Sequence, residues 1–362
     1  MNKQNQYAVI MAGGIGSRFW PVSKTSRPKQ FIDILGTGKT LIQQTYERLL
    51  HSCPKENIYI VTNELYRPLI NEQLPEIDNT QILGEPSARN TAPCVAYASY
   101  KIAQQNPDAI TIVAPSDHLI LKEEAFTRTV QQAFDEAAAQ QSLITLGIVP
   151  TRPDTGYGYI QYKKEADADS FYKVKTFTEK PNLELAKTFI ASGDFLWNAG
   201  IFIWSVKAVI KAIEMYLPDM AELFQEGKKH YFKNTEADFI KSVYSQCTNI
   251  SIDFGIMEKA KNVYVKPADF GWSDLGTWGS LHAISDKDYV GNAVVGSKNV
   301  FAYDSANCMI SVPQGKVVVL QGLDGYIVAE SDNTLLICKL SEEQQIKQMS
   351  GDVKIKMGEK FI

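Results

Sequence analysis

Between Tyr7 and Phe31 the chain runs Y-A-V-I-M-A-G-G-I-G-S-R-F-W-P-V-S-K-T-S-R-P-K-Q-F, a short apolar strand emptying into a glycine-rich loop that carries Arg18, Lys24, Arg27 and Lys29. Glycines let backbone N–H groups approach an anion closely, and fixed cations add charge. The segment therefore points to a cradle for a nucleoside triphosphate. The competing reading is a tight strand-to-helix turn carrying surface cations.

Two better-known phosphate motifs do not fit. The dinucleotide fingerprint needs a third glycine, yet Gly14-Ile15-Gly16-Ser17-Arg18 runs into Phe19, Trp20 and Pro21, which do not open a closely packed helix. A Walker-type ending stands at Gly38-Lys39-Thr40, but the position for its first glycine holds Asp33. That stretch reads as a turn and helix start.

Further along, apolar runs of strand length at Ile58 to Val61, Ile110 to Ala114 and Leu143 to Gly147 alternate with helix-like stretches at Thr40 to Leu50, Pro93 to Gln105 and Glu123 to Gln140. This is the βαβ rhythm of a mostly parallel, doubly wound α/β sheet covered on both faces. Ligands of such sheets sit beyond the carboxyl ends of the strands, where the glycine loop and Asp117 both fall. From Thr151 to Ala283 the rhythm loosens, with Gly156-Tyr157-Gly158-Tyr159, a strand-like Val174 to Phe177, and helix-like stretches after Leu183 and Val206. After Ser285 short β-like runs follow, at Val317 to Leu320, Tyr326 to Val328 and Leu335 to Cys338. The expected division is a larger domain over 1–283 and a small β domain over 284–362.

The 362 residues are 44% hydrophobic, enough for a large core, and the formal net charge is −4. With no long basic run, a general nucleic-acid binder is disfavoured. Cys53, Cys94, Cys247, Cys308 and Cys338 are odd in number, dispersed and without a C-x-x-C pair, which suits core thiols in a reducing compartment. The apolar run at Tyr7 to Ala12 is too short for a signal-peptide core or a membrane span. The expectation is a cytoplasmic protein with no membrane segment. None of the four histidines is spaced as a zinc pair.

As a whole, Tyr7 to Phe31 resembles the signature of the sugar nucleotidyltransferases: a double glycine, then Gly, Arg, Pro and a Pro-Lys pair. Within that family, Trp20-Pro21-Val22-Ser23 and Pro28-Lys29-Gln30-Phe31 are most similar to the mannose-1-phosphate guanylyltransferases. The resemblance implies a nucleotide-diphospho-sugar transferase fold, Rossmann-like, with a C-terminal partial left-handed β-helix used for homodimer contacts, although no clean hexapeptide repeat is visible. It also implies GTP and mannose 1-phosphate as substrates.

Such a transfer needs no strong general base, because the second pKa of a sugar phosphate is about 6. It needs a divalent cation on the α-phosphate, cations along the triphosphate, and in-line geometry. Magnesium takes one or two carboxylates plus phosphate oxygens and water. By resemblance, Asp117 in Pro115-Ser116-Asp117-His118 and Asp274 in Gly271-Trp272-Ser273-Asp274 are its ligands. Taken alone, each reads as a cap or turn residue. Arg18 and Lys29 are the expected triphosphate cations, with Lys24 and Arg27 facing solvent.

The nucleotide would lie along Ala12, Gly13, Gly14, Gly16, Ser17 and Ser116. The loop Gly84-Glu85-Pro86-Ser87-Ala88-Arg89-Asn90-Thr91-Ala92-Pro93 resembles the base-recognition loop of the family. There Glu85 suits the guanine N1–H and 2-amino donors, while Arg89 and Asn90 order the loop or cap the next helix. Phe177-Thr178-Glu179-Lys180-Pro181 resembles the Phe-Val-Glu-Lys-Pro block of the family, which implies that Glu179 accepts from sugar hydroxyls and Lys180 meets the sugar phosphate. Gly156, Tyr157, Gly158, Asn198, Ala199, Gly200 and Asp253 are placed with the sugar phosphate on the same ground. The family usually has Ser at Ala199 and Met at Ile201. Rival readings are another hexose 1-phosphate or nucleotide such as dTTP or UTP, a non-catalytic nucleotide-sugar sensor, and a nicotinamide-dependent oxidoreductase.

Overall fold

The computed structural model describes residues 3–14, 16–164 and 171–362. Two compact units are present, one from Met1–Gly13, Thr45–Ser116 and Ile120–Trp272, the other from Gly14–Gln44, Asp117–Leu119 and Ser273–Ile362. The chain thus divides by packing at several places, not by a single cut at 283/284.

In the first stretch of chain the strands are β1 (Gln6–Met11), β2 (Ile58–Asn63), β3 (Ile82–Glu85), β4 (Ile110–Pro115), the two-residue β5 (Leu119–Ile120), β6 (Leu143–Ile148), β7 (Tyr159–Tyr162), β8 (Tyr172–Thr178), β9 (Phe195–Ser205), β10 (Val263–Ala268) and the two-residue β11 (Trp272–Ser273). Nine of them form one sheet in the order β3-β2-β1-β4-β9-β6-β10-β8-β7. The first four run parallel, in register from Met11↔Val61 and Met11↔Pro115 outward. Their near-continuous apolar sequences are those of strands buried on both faces.

The sheet is mixed beyond β4, where a mostly parallel one was expected. The long β9 runs antiparallel to both β4 and β6, and β8 and β7 add antiparallel neighbours at the far side. Parallel pairing needs a helical crossover, and the loosened rhythm after Thr151 is where such crossovers give way to direct returns. The helices stand close to their expected bounds, at Thr91–Gln105, Glu123–Ala139, Leu183–Ser192 and Val206–Tyr216. Small buried residues on the first of these, Ala92, Val95, Ala96 and Ala98, let it pack closely in a core with Val209, Ala212, Phe224 and Tyr244.

In the other unit, β12 (Ala293–Gly296), β13 (Val300–Tyr303), β14 (Met309–Val312), β15 (Val318–Gln321), β16 (Tyr326–Ser331) and β17 (Thr334–Lys339) follow one another. Alternate strands pair in parallel, β12 with β14 with β16, and β13 with β15. This is coil-like winding. Val300 pairs with Val318 and Met309 with Ile327, a spacing of 18 residues, while Ala293 pairs with Met309 at a spacing of 16. β17 returns antiparallel on β16.

The core of this unit joins Phe19 and Trp20 to Trp278, Leu281, Met309, Ile327 and Ala329. The Phe19 ring meets Trp278 edge-on at 5.0 Å, and the Trp20 indole N–H donates to the Phe361 carbonyl at 2.7 Å. The cation-bearing loop is therefore built on the C-terminal β coil. All five cysteines are free and buried.

Candidate active site

At the carboxyl ends of β1 and β4 the chains lie side by side, because Met11 pairs with Pro115 and the Ser116 N–H donates to the Met11 carbonyl at 3.0 Å. Ala12 is fully buried, its N–H on Val61 and its carbonyl taking the Thr62 hydroxyl. Ser116 is buried and its carbonyl takes the Thr45 hydroxyl, so these two residues shape the strand ends through their main chains.

The loop that follows turns its carbonyls inward. The Gln30 amide donates to the Gly14 carbonyl at 2.8 Å and the Ser23 hydroxyl to the Gly16 carbonyl at 2.9 Å. Among the described residues, no partner takes the backbone N–H of Gly14, Gly16, Ser17 or Arg18. Amides left open while their carbonyls are held form the kind of concavity that receives an anion. Arg18 is exposed, and no described residue pairs with it.

Lys29 differs from that expectation of a free phosphate cation. It is only 3% exposed, and its ammonium reaches Asp117 Oδ2 at 2.9 Å, the Asp274 carbonyl at 2.8 Å and the Leu275 carbonyl at 3.0 Å. An ammonium has three donors, and all three are placed. Gly16 sits against it: φ is +61°, and a Cβ there would lie 2.6 Å from Lys29 Cβ, so only glycine fits. Lys29 thus draws Asp117 and the Asp274 turn to one point.

Burial pushes the Asp117 carboxyl up, but the Lys29 ammonium and His118 more than offset it and hold the group below the ordinary carboxylate range. Asp274 keeps its turn by accepting the Gly276 N–H at 2.9 Å. Two carboxylates and no third suit an ion that completes its shell with phosphate oxygens and water; among the described residues no larger group of His, Cys, Asp or Glu could hold a metal. Lys24, expected to face solvent, pairs with Asp332 at 2.5 Å. At Gly38-Lys39-Thr40 the Asp33 carboxylate accepts the Thr37 and Gly38 N–H groups, a turn and no phosphate loop.

In the sheet unit, the base loop is pinned by its own chemistry. Asn90 has φ +67° and its side chain caps helix Thr91–Gln105. The Thr91 hydroxyl accepts the Ile252 N–H, and Ala92 donates to the Ile250 carbonyl. Glu85 is buried, with Oε1 accepting the Tyr244 hydroxyl at 2.9 Å. Burial pushes its carboxyl up to about 7, against the Tyr244 hydrogen bond. Its Oε2 lies 3.2 Å from where a Gly13 Cβ would stand, so the glycine makes room for the carboxylate.

The expected sugar residues gather in the same unit. Asn198 Nδ2 donates to Asp253 Oδ1 at 2.8 Å, its Oδ1 accepts the Gly200 N–H at 3.0 Å, and its own N–H is on the Gly158 carbonyl. Asp253 is held above the ordinary carboxylate range, by burial first and also by Glu179, with Asn198 opposing. Glu258 is raised by burial, Asp253 and Glu179. Glu179 and Lys180 are exposed, and Ala199 is fully buried with no hydroxyl to offer.

Two residues escaped the sequence reading. The Arg152 guanidinium is paired with Asp154 at 2.8 Å and lies over the rings of Tyr157 and Trp197, at 5.9 and 5.3 Å. Its spacing from Asp154 just before Gly156-Tyr157-Gly158 was the available signal. Tyr244 gave none, since it is one of the apolar-face residues of helix Glu236–Gln246.

Comparison with known proteins bears on this geometry. A family model described as nucleotidyl transferase matches residues 7–289. The mannose-1-phosphate guanylyltransferase of Escherichia coli is 35% identical over 354 residues, covering 94% of this chain and 74% of that protein. The alginate biosynthesis protein AlgA of Pseudomonas syringae pv. tomato is 36% identical over 347 residues, covering 94% of this chain and 70% of that protein. A crystal structure described as mannose-1-phosphate geranyltransferase from Thermus thermophilus has a TM-score of 0.88 at 29% identity, covering 97% of this chain and 100% of that one.

Proposed function

This chain belongs to the nucleotidyl transferase family, and on that premise we propose that it transfers GMP from GTP to α-D-mannose 1-phosphate, giving GDP-mannose and pyrophosphate. The observation that carries the reading is the Lys29 ammonium, which gathers Asp117 and the Asp274 turn against Gly16 of the anion-ready loop. The names of the curated relatives support guanine and mannose.

In this reading the open amides of Gly14, Gly16, Ser17 and Arg18 and the Arg18 guanidinium take the triphosphate, neutralising charge that otherwise repels the incoming sugar phosphate. Lys29 acts by holding the Asp117 carboxylate and the main chain of the Asp274 turn. Magnesium, held by Asp117 and Asp274, would supply charge stabilisation at the α-phosphate. Lys180 receives the sugar phosphate, and Glu179, Asp253 and Asn198 accept from or donate to sugar hydroxyls. Gly156, Tyr157, Gly158, Ala199 and Gly200 shape that part through their backbone. The sugar-phosphate oxygen attacks the α-phosphorus in line and pyrophosphate leaves opposite to it.

In this account the catalytic residues all lie within 1–283 of the sequence, and the strands of 284–362 form a C-terminal β domain into whose unit Gly14–Gln44 packs. That domain carries a face for a homodimer: Phe301, Tyr303, Val317 and Val319 are all more than half exposed, and Phe301 pairs with Val319 across β13 and β15. Phe301→Asp should shift the protein to monomer in sedimentation velocity. The five free thiols support a cytoplasmic setting, and no described helix is long and apolar enough to cross a membrane.

The test is pyrophosphate release from purified protein with magnesium, mannose 1-phosphate and each nucleoside triphosphate in turn, repeated with Asp117→Ala. Release with GTP that depends on metal and on Asp117 supports the reading. Release only with another nucleotide overturns the base assignment, and no release with any sugar phosphate from folded protein points to a sensor.

A further inference from the structure

We propose that Tyr244 is a positioning residue for base selection: its hydroxyl fixes one oxygen of the Glu85 carboxylate and leaves the other, beside Gly13, for the N–H edge of a purine. The inference rests on the reading of Glu85 as the base-recognising group.

The geometry begins with β3. Successive side chains on a strand point to opposite faces. Gly84 faces Glu64 and Arg67 so closely that a Cβ would fall 1.5 Å from Glu64 Oε2. Glu85 therefore projects from the other face, toward Gly13 and the fully buried Tyr244. Among the described residues only Tyr244 donates to this carboxylate, on Oε1, and nothing donates to Oε2.

The tyrosine is held from its other end as well. Arg89 Nε donates to the Tyr244 carbonyl at 3.1 Å, so the base loop grips both the side chain and the main chain of one residue. Arg89 is in this account a brace for the loop, not a ligand contact. Tyr244 is itself locked by Phe224, which meets it at a right angle with centroids 6.2 Å apart. Its hydroxyl is consequently not free to follow Glu85 into another rotamer.

A guanine edge carries an N1–H and a 2-amino group, hypoxanthine keeps only the N1–H, and adenine has no N1–H. The fixed Oε2 has two acceptor positions, which guanine fills with its N1–H and 2-amino group, hypoxanthine half fills and adenine leaves empty, so the wrong base leaves buried acceptor capacity unpaired. The ionised form is the one that accepts. Burial disfavours that form, and the Tyr244 hydroxyl from helix Glu236–Gln246 favours it; the Cys94 thiol from helix Thr91–Gln105 also faces it.

The experiment measures kcat and KM with GTP and with ITP for the wild type, Glu85→Gln, Tyr244→Phe and the double variant, with KM for GTP followed from about pH 6 to about pH 8.5, spanning the Glu85 midpoint at about 7. Tyr244→Phe should raise KM for GTP about tenfold with kcat changed less than about twofold, the fraction of a charged hydrogen bond that binding uses. It should lower the GTP-to-ITP preference, move the pH midpoint upward, and have no further effect in the Glu85→Gln background.

An unchanged KM, preference and pH midpoint in Tyr244→Phe would overturn the proposal, as would an equal loss with and without Glu85. A wild-type GTP-to-ITP preference that survives Glu85→Gln would overturn the Glu85 reading itself, and the proposal with it. Arg89→Ala loosens the same brace from its other end. It should give a smaller shift in the same direction, and it replaces Tyr244→Phe as the deciding variant if that protein does not fold.

Discussion

Around Lys29 and around Asp253 the protein handles charge in opposite ways. Lys29 is buried against Asp117 and two carbonyls, so its positive charge is matched inside the protein. At Asp253, burial first and the Glu179 carboxylate beside it hold the carboxyl up, and Asp253 and Glu179 in turn add to burial in raising Glu258. A matched pair is complete without a ligand and works as scaffold. An unmatched acid group is relieved only when donors arrive, which is what sugar hydroxyls provide. In the proposed function, the difference separates residues that build the site from residues that would receive the sugar phosphate.

The largest expected effect tests the scaffold side. Asp117→Ala removes a proposed metal ligand and strands the buried Lys29 ammonium, so pyrophosphate release should fall by about a thousandfold or more, as for loss of a principal electrostatic group. Lys29→Met strands Asp117 instead. Because Asp117 is about a third exposed, the stability cost should sit near the lower end for a broken buried pair, about 3 kcal/mol in denaturant unfolding. By contrast, Arg18→Lys should leave the unfolding midpoint unchanged and cut turnover about tenfold, since lysine loses the bidentate grip. Equal destabilisation by both variants would break the distinction drawn here.

The pH dependence of stability sharpens it further. Glu85 ionises near 7 in the folded protein instead of the ordinary 4.5, so the folded state holds that proton longer than the unfolded state. Stability from this group therefore declines as pH rises from about 4.5 to about 7 and is flat above, by on the order of 3 kcal/mol. Glu85→Gln should remove that slope in urea midpoints taken across the range. Asp117 has the opposite sign: its depressed carboxyl stabilises above the ordinary carboxylate range and loses that contribution as pH falls through the depressed value.

Smaller effects follow on the receiving side. Asp253→Asn should raise KM for the sugar phosphate about tenfold, one charged hydrogen bond, while leaving the folded state no less stable because it relieves like-charge crowding. A clear drop in unfolding midpoint would show that Asp253 is scaffold after all. Lys24→Ala, which opens the partly exposed pair with Asp332, should cost under about 1 kcal/mol.

What the sequence disclosed was local. Strand, glycine loop and capped helix follow from residues within one turn or one strand, so β1, β4 and helix Thr91–Gln105 stand close to their expected places, and Asn90 caps as its type allows. What it hid was long-range. The partners of Lys29 lie at Asp117 and Asp274, the donor to Glu85 lies in another helix, and Trp20 reaches the carbonyl of Phe361. A lysine in a cation-rich loop looks the same in sequence whether its ammonium is open or used up. The antiparallel course of β9 was hidden for a like reason, because an apolar run does not reveal the direction of its neighbours.

The glycines of the loop are not equivalent, and this bears on how a mutational scan of the segment should be interpreted. At Gly16 the backbone conformation and Lys29 both exclude any side chain, so intolerance there reports on local folding before it can report on a bound phosphate. At Gly14 a Cβ meets nothing within 4 Å and φ is not positive. An alanine at Gly14 should be silent in a selection for abundance, and any loss it shows in a selection for activity measures how near the bound substrate comes to the backbone.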